Sequence, residues 1–349
     1  MTTAPAPHDL PGAGTLYIKG ERDRLNGEYT PYYKVGIVRG EKEAKDRDGA
    51  LSTGNPRDIT NLLELHSPFV QKLETRLHNE FAYARVSSNE WFHTSLCPVD
   101  TVRDRARQLQ AELVDSIDAL VVAENQDGPG EAPAVPADEE ALELAERLAR
   151  IAGDQELIAS VKKAAEKALK DLAESDERLW DVYFKASTRK ESSTLSATEV
   201  KKRYPELYAA FVAPVEAKPK LSWNLPEVDT DQAERLKHWA LPTPGSLAGD
   251  DADAAKLHQI FLDAWAAEAV IDWDRWIVEA FLRSKASGTQ GIEGLISWSA
   301  RTTNTFDKSS FSETHPELVD ECTVSRPVAT SFAVQEWVAS VTATTGTTS

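Results

Sequence analysis

The feature that most constrains the fold is a short amphipathic segment in the first quarter of the chain. Apolar residues recur at helical spacing from Val70 to Ala84, which predicts a helix with one buried face. Glu74 and His78 are four residues apart beside that face, so their side chains project on the same side of the helix. The sequence therefore predicts a helix that presents a carboxylate and an imidazole next to an apolar core.

Strand-like segments surround this helix and predict a small sheet. Asn26-Gly27, between the first two, is the strongest short signal for a hairpin turn. Ser67-Pro68 predicts the start of the helix that carries Glu74, with serine as the N-cap. The resulting fold class is α+β, an antiparallel sheet flanked by helices at the N-terminus. The predicted strands lie at 16–18, 32–38 and 59–65, and a further helix is predicted at 41–51.

Five short polar motifs follow one another along this unit. In chain order they are Thr15-Leu16-Tyr17, Lys34-Val35-Gly36, Arg47, Glu74 and Glu90-Trp91-Phe92. In this order they resemble the GIY-YIG nuclease superfamily, and most of all its phage-type DNA-binding branch. The resemblance covers about residues 14–95, roughly a quarter of the chain.

The resemblance implies a role for each of four residues. Tyr17 would position or deprotonate the attacking water. Lys34 would replace the second tyrosine of the family, lower the pKa of the phenol and contact phosphate. Arg47 would clamp the scissile phosphate through its planar guanidinium. Glu74 would bind Mg²⁺ or Mn²⁺, and one carboxylate suffices because Mg²⁺ keeps most of its waters.

Three more residues, Tyr33, His78 and Glu90, are candidates near the site. Tyr33 directly precedes Lys34. Tyr17 itself has a structural alternative, because a buried tyrosine on a strand is usually part of the core. His78 can serve the site directly or make a structural hydrogen bond. Glu90 can reach the site or simply precede two aromatic residues that close the domain. One departure from the family pattern is Leu51, which stands where a histidine often follows the arginine by one helical turn.

The charge distribution permits a DNA partner. The net charge of −18 at first argues against one, because phosphate repels acidic surfaces. Residues 15–97, however, contain 12 Lys+Arg and 12 Asp+Glu, so the excess of acid lies outside the motifs. The two cysteines, Cys97 and Cys322, are too few for a disulfide framework or a cysteine-rich zinc site.

The rest of the chain is predicted to be mainly helical. Two seams of apolar residues, at 102–122 and 157–172, suggest amphipathic helices that bind a second copy or a protein partner. A break is expected in the second helix at Gly153-Asp154. The predicted division is 1–13 disordered, 14–97 nuclease-like or DNA-binding, 98–123 connecting helix, 124–137 linker, 138–241 helical, 242–251 linker, 252–339 helical and 340–349 disordered.

An internal repeat occurs in the helical part. Residues 195–207 align without gaps to residues 306–318, which predicts a helix-turn-strand unit used twice, as a paired fold or a short array. The second copy follows Gly291-Ile292-Glu293-Gly294 and Ser297-Trp298. With them it resembles the tail of some YqaJ-type phage exonucleases, which is not their catalytic part.

The leading functional prediction is a metal-dependent DNA endonuclease whose C-terminal region serves recognition or assembly. One alternative is a DNA-binding or regulatory protein of a phage or mobile element that does not cut. Another is an adaptor for protein partners, built on the acidic helices. No apolar run reaches the ~18 residues of a membrane span and the first residues lack a signal-peptide layout, so a cytoplasmic location is expected.

Overall fold

The computed structural model describes residues 12–40, 43–52, 56–87, 90–228, 231–247 and 253–338. Except for Gly12 and Ala13, the ends predicted to be disordered lie outside these residues. So does the predicted linker 242–251 from residue 248 onward. Within the described ranges, no helix is both long and apolar enough to cross a membrane.

The N-terminal unit is an antiparallel sheet covered by helices, so the predicted α+β class is confirmed. The strand order is β3-β1-β2-β4. The strands are β1 (Gly14–Arg22), β2 (Tyr29–Arg39), β3 (Asp58–Ser67) and β4 (Trp91–His93). The helices are a 3₁₀ turn (Ala44–Arg47), α1 (Asp48–Ser52), α2 (Val70–Glu80), a second 3₁₀ turn (Ala82–Ala84), α3 (Val99–Asp115) and α4 (Ile117–Asn125).

The hairpin between β1 and β2 turns at the predicted Asn26-Gly27. Gly27 has a φ of 73°, a conformation that glycine adopts without the strain a Cβ would cause. Its N–H donates to Asp23 O at 2.9 Å. The register that follows places Tyr17 opposite Gly36.

Helix α2 supplies the core of this unit. Leu73 and Leu77 are fully buried and share one apolar cluster with Leu16, Ile18 and Val35 of the two central strands. Residues of β1 and β2 that alternate with these point to the other face of the sheet. The predicted buried face of the helix is therefore present and packs on the sheet.

The start predicted for this helix is wrong by two residues. Helix α2 begins at Val70, and its N-cap is Phe69 rather than Ser67. Ser67 still belongs to β3 and pairs with Gly14, and two further residues separate it from the first turn of the helix. Its hydroxyl accepts a hydrogen bond from Phe69 N at 3.3 Å instead.

Two long helices organise the remainder, and they pack along each other around a second apolar core. The elements after α4 are, in chain order, α5 (Glu139–Ser175), α6 (Arg178–Tyr183), β5 (Phe184–Arg189), β6 (Ser192–Leu195), α7 (Ala197–Arg203), α8 (Pro205–Ala210), β7 (Val212–Trp223), α9 (Gln232–His238), a 3₁₀ turn (Pro244–Leu247), α10 (Ala254–Lys285), β8 (Gly291–Ile292), β9 (Ile296–Phe306), α11 (Lys308–Thr314), α12 (Pro316–Cys322), β10 (Thr323–Arg326) and β11 (Ala329–Val334). Helix α10 also contributes Trp273 and Ala280 to the N-terminal core.

The break predicted at Gly153-Asp154 is wrong, because α5 continues through both residues. Glycine leaves room there for the side chain of Arg235. A Cβ at Gly153 would lie 2.7 Å from Arg235 Nη1. Arg235 also pairs with the carboxylate of Asp154. Gly153 therefore makes room for Arg235 within a continuous helix and does not end that helix.

The segment predicted to be a linker after α4 lies alongside residues 289–292. Ala132 and Val135 form parallel bridges with Thr289 and Ile292. Gln290 N donates to Ala132 O at 2.8 Å. The division of the chain into domains stays a prediction.

The two copies of the repeat fold alike. Ser196 accepts a hydrogen bond from Glu199 N and caps α7, and Asp307 caps α11 in the same way through Ser310 N. A proline starts the second helix of each copy. The first helices bury Val200 and Phe311 at equivalent positions in one small cluster. The predicted twice-used unit is confirmed, and the copies pair with each other.

Replacing Leu77 with alanine tests the core beneath the sheet. We expect Leu77→Ala to lower the free energy of unfolding by about 2–5 kcal/mol, because the side chain is fully buried and leaves a cavity. Thr75→Ala, at an exposed position of the same helix, should change it by less than about 0.5 kcal/mol. Chemical denaturation measures both, and equal effects would refute the assignment of the buried face.

Candidate active site

Strand alternation separates the polar candidates from the core. Tyr17 on β1 pairs with Gly36 on β2, and Lys34 lies two residues before Gly36, so all three share one face of the sheet. Leu16 and Val35 point to the opposite face, where α2 packs. The face that carries Tyr17 and Lys34 is therefore available for a polar site.

Gly36 is required by the ring of Tyr17. The tyrosine is 3% exposed, and its side chain lies across the strand partner. A Cβ on Gly36 would lie 2.5 Å from Tyr17 Oη, closer than any real contact allows. The glycine in the Lys34-Val35-Gly36 motif thus has a physical role, which is to make room for the phenol.

Two lysines face each other next to this tyrosine. Lys19 of β1 pairs directly with Lys34 of β2, an arrangement in which like charges repel. Each ammonium has its own carboxylate. Lys19, fully buried, pairs with Asp48 of α1. Lys34 Nζ lies 2.9 Å from Glu90 Oε2. The two acids come from different segments, so each ion pair fastens one segment to the sheet.

The pair of Lys19 and Asp48 positions Arg47. Arg47 is the exposed last residue of its 3₁₀ turn, and Asp48 follows it directly. The ammonium of Lys19 is 5.2 Å from the centroid of the Tyr17 ring. Sequence reasoning missed Lys19 and Asp48. Lys19 could have been found from its position two residues after Tyr17, because residues at that spacing lie on the same face of a strand.

Glu90 reaches the site through an unusual backbone conformation. Its φ is 68°, a left-handed geometry that is uncommon for a residue with a side chain. The next residue, Trp91, begins β4 and pairs with Lys34. Strand pairing therefore brings Glu90 beside Lys34, and of the two roles considered for Glu90, the structure shows contact with the site.

Helix α2 adds Glu74 and His78 to the same place. One ligand atom from each of Glu74, His78 and Glu90 lies within 4.8 Å of the other two. His78 Nε2 lies 3.1 Å from Val35 O, the carbonyl next to Lys34. A carbonyl only accepts, so Nε2 carries the hydrogen and the lone pair of the neutral ring is on Nδ1. His78 thus makes the structural hydrogen bond that was one of its two predicted roles.

The proximity of two carboxylates changes their protonation. Burial, followed by the charge of Glu90, raises the pKa of Glu74 from 4.5 to about 7. Three cations oppose this shift, namely Lys34, Arg39 and Arg47. For Glu90, burial acts in the same direction, but the hydrogen bond and charge of Lys34 outweigh it and lower the pKa.

The two other titratable groups are held in their neutral forms. Burial lowers the pKa of His78 to about 4, so the imidazole is uncharged at neutral pH. Burial also raises the pKa of Tyr17, and Glu74 and Glu90 add to the shift while Arg47 opposes it. The net shift is therefore opposite in direction to the lowering expected from Lys34, because burial has the largest effect on the phenol.

The structure thus brings together Tyr17, Lys34, Arg47, Glu74, His78 and Glu90, which we call the Glu74 site. Tyr33 is not part of it, contrary to expectation. It is 1% exposed, stacks on Phe92 and donates to Cys97 O at 3.0 Å. Strand alternation turns it away from Lys34 into the core. Arg39 was not predicted, yet it acts on Glu74 and donates to Gln71 Oε1 at 2.9 Å.

Comparison with known proteins agrees with this part of the chain. The family model of the T5orf172 domain matches residues 14–110. This is a phage-associated domain reported as related to nucleases of the GIY-YIG and HNH types. The matched range runs from β1 into α3 and contains the whole Glu74 site. No curated protein and no solved structure matches the chain.

Gly36→Ala tests the packing of Tyr17. The added methyl group must displace the buried ring, so we expect a loss of about 1–3 kcal/mol in unfolding free energy. Gly49→Ala is the matched control in helix α1, where a Cβ meets nothing within 4 Å. That substitution should stabilise the protein by about 0.5–1 kcal/mol, since alanine favours the helix. Equal destabilisation by both would contradict the proposed contact.

The raised pKa of Glu74 predicts a pH dependence of stability. Between about pH 4.5 and pH 7 the folded protein holds a proton on Glu74 that the unfolded chain has lost. The unfolding free energy therefore decreases as pH rises through this window. In metal-free buffer Glu74→Gln should remove this component, so the difference in stability between the variant and the native protein grows with pH. Parallel pH profiles for the two proteins would refute the shift.

Proposed function

We propose that this protein is a metal-dependent DNA endonuclease of the GIY-YIG type that hydrolyses phosphodiester bonds at the Glu74 site. The main observation in support is the convergence of Glu74, His78 and Glu90, whose ligand atoms lie within 4.8 Å of one another. The match to the T5orf172 domain supports a phage-related nuclease-like or DNA-binding role for this region. The resemblance of the C-terminal part to YqaJ-type exonucleases stays a prediction.

The donor set fits a divalent cation. Carboxylate oxygens suit Mg²⁺ and Mn²⁺, and a neutral imidazole also suits Mn²⁺. Burial, and then the charge of Glu90, raises the pKa of Glu74 to about 7, and a bound cation would favour the ionised form of this carboxylate. Glu74 would hold the ion, with Glu90 and His78 beside it. When bound, the ion would stabilise negative charge on the phosphate and on the leaving oxygen.

The remaining residues would bind and orient the substrate. Arg47 is exposed, so its guanidinium can contact a phosphate group from the solvent side. Tyr17 is protonated at neutral pH, as an ordinary phenol is, and burial raises its pKa further, so its phenol would donate a hydrogen bond and orient water. Lys34 would keep Glu90 in place through their 2.9 Å ion pair. Tyr17 is thus proposed to position the nucleophile rather than to act as the resting base.

One observation favours a second candidate, a DNA-binding protein that does not cut. The phenol of Tyr17 is 3% exposed and has a raised pKa, which makes it a poor activator of water. A site of this kind could hold a phosphate through Arg47 without promoting hydrolysis. The two candidates share the same residues and differ only in turnover.

Cleavage of plasmid DNA with Mg²⁺ or Mn²⁺ tests the proposal. We expect the native protein to nick or linearise plasmid, and Glu74→Gln to reduce the rate at least about a hundredfold. The reason is that charge stabilisation by a bound ion contributes several kcal/mol, and each 1.4 kcal/mol is a factor of ten. Glu143→Gln, an exposed glutamate on α5, should cleave at the native rate.

Binding measured without divalent metal separates the candidates. Salt-dependent DNA binding together with absence of cleavage in both metals would establish the non-cutting alternative. Cleavage that survives Glu74→Gln would remove this residue from the mechanism. Absence of both binding and cleavage would leave the adaptor function predicted from the acidic helices.

A further inference from the structure

The internal repeat builds an arm with approximate two-fold symmetry, formed by residues 184–223 and 296–334. Each copy has strand residues before its helix pair and after it. Leu195, before the first copy, pairs with Thr323, after the second. Phe306 is the counterpart of Leu195, and it pairs with Val212, the counterpart of Thr323. The strand before each copy therefore pairs with the strand after the other copy, and this reciprocal pairing defines the two-fold symmetry.

The strands form two ribbons that join separate cores. The first ribbon pairs β5 and β6 with β11 and β10, and the second pairs β7 with β9. Strand β7 has 12 residues, so each ribbon is about 40 Å long. Phe184 and Ile296 anchor one end in the core of the long helices. Val200 and Phe311 belong to the small core at the other end. Between the two ends, most side chains are exposed.

The ribbons differ in charge from the rest of the protein. They carry seven basic residues and two acidic ones, in a chain whose net charge is −18. Hydroxyl groups of serine and threonine fill many of the other exposed positions. The basic residues are Lys185, Arg189, Lys190, Lys218, Lys220, Arg301 and Arg326, and the acidic ones are Glu191 and Glu216.

Four of these cations are exposed, and their side chains form neither an ion pair nor a hydrogen bond with any residue in the described ranges. They are Lys190, Lys220, Arg301 and Arg326. Lys190 and Arg301 occupy equivalent positions in the two copies, so the symmetry places one exposed cation at the same point of each ribbon. Lys185 and Lys218 differ from these, since they pair with Glu336 and Asp127.

We propose that the two ribbons bind the sugar-phosphate backbone of duplex DNA, and that this contact holds the substrate of the Glu74 site. The inference rests on the proposed function and names the part of the chain that recognises DNA. Lysine, arginine, serine and threonine are the usual donors to phosphate oxygens. A two-stranded ribbon also fits the major groove, and a two-fold protein matches the symmetry of a duplex.

The exposed apolar residues argue against a protein partner on this surface. Val215, Val324, Val328 and Phe332 are the large apolar side chains exposed on the described ribbons. Each has a charged or hydroxyl-bearing residue within two positions in the sequence, and three of the four lie on three different strands. Protein interfaces centre instead on contiguous apolar patches. The charge and the hydroxyl groups therefore favour a phosphate backbone.

Salt-dependent binding to a duplex of about 30 base pairs tests this inference. The probe is a fluorescent duplex of mixed sequence, measured by anisotropy with the full chain in EDTA. The test variant combines K190Q, K220Q, R301Q and R326Q. We expect Kd to increase at least about tenfold at 0.1 M salt. The slope of log K against log salt should become shallower by about 3.6, because each of the four lost phosphate contacts removes about 0.9.

A second quadruple variant serves as the matched control. R107Q, R150Q, K167Q and K237Q remove the same charge from exposed positions on helices α3, α5 and α9. This variant should change Kd by less than about twofold, and its salt slope should stay the same. An equal loss in both variants would overturn the proposal, because affinity would then depend only on net charge. Circular dichroism confirms that both variants fold.

The symmetry gives an independent test. Lys190→Gln and Arg301→Gln should each weaken binding by a similar factor, and the double variant by the product of the two. An effect confined to one ribbon would refute the symmetric contact. Unchanged DNA affinity in the ribbon variant, with altered self-association in light scattering, would instead assign this surface to a protein partner.

The ribbon test does not depend on catalysis. Binding is measured without metal, so a protein that fails to cut DNA but loses affinity in the ribbon variant supports the inference while refuting the nuclease proposal. Conversely, a protein that cuts DNA and binds it equally well in the ribbon variant refutes the inference alone.

Discussion

The Glu74 site depends on holding two carboxylates close together in a partly buried place. Glu74 and Glu90 repel each other, and burial removes the water that would screen them. Lys34 offsets part of this repulsion by pairing with Glu90 at 2.9 Å. Burial and the charge of Glu90 still raise the pKa of Glu74 to about 7. A partly buried pair of carboxylates beside a neutral imidazole is the kind of environment in which a bound divalent cation is stabilising.

The same face of the sheet shows how opposite charges hold the segments of the domain together. Lys19 and Lys34 are strand partners whose charges would repel each other without acids nearby. Asp48 approaches one lysine from α1, and Glu90 approaches the other from the segment before β4. Asp48 directly follows Arg47, and Glu90 is itself a member of the Glu74 site. The two ion pairs that balance the charge of the sheet face therefore also set the positions of residues in the site.

Different parts of the chain carry different charge, and this distribution fits a division of roles. Residues 15–97 are neutral, the ribbons of the arm are basic, and the rest of the chain carries the excess of acid. An acidic body repels a phosphate backbone, whereas the ribbons attract it. DNA would therefore approach the protein along the arm. The internal duplication fits this interpretation, because two equivalent ribbons match the two strands of a duplex.

Periodic patterns in the sequence determined which residues share a face, because alternation and helical repeats depend only on local backbone geometry. They placed Glu74 beside His78. The repeat followed from an alignment without gaps, and the order of the motifs gained meaning from the resemblance to the GIY-YIG superfamily. Tertiary structure alone decided distances between elements. It brought Glu90 next to Glu74 through the pairing of β4, turned Tyr33 into the core, and kept α5 continuous at Gly153 beside Arg235. Contacts between segments far apart in the chain follow from packing of the whole fold, so local sequence patterns do not predict them.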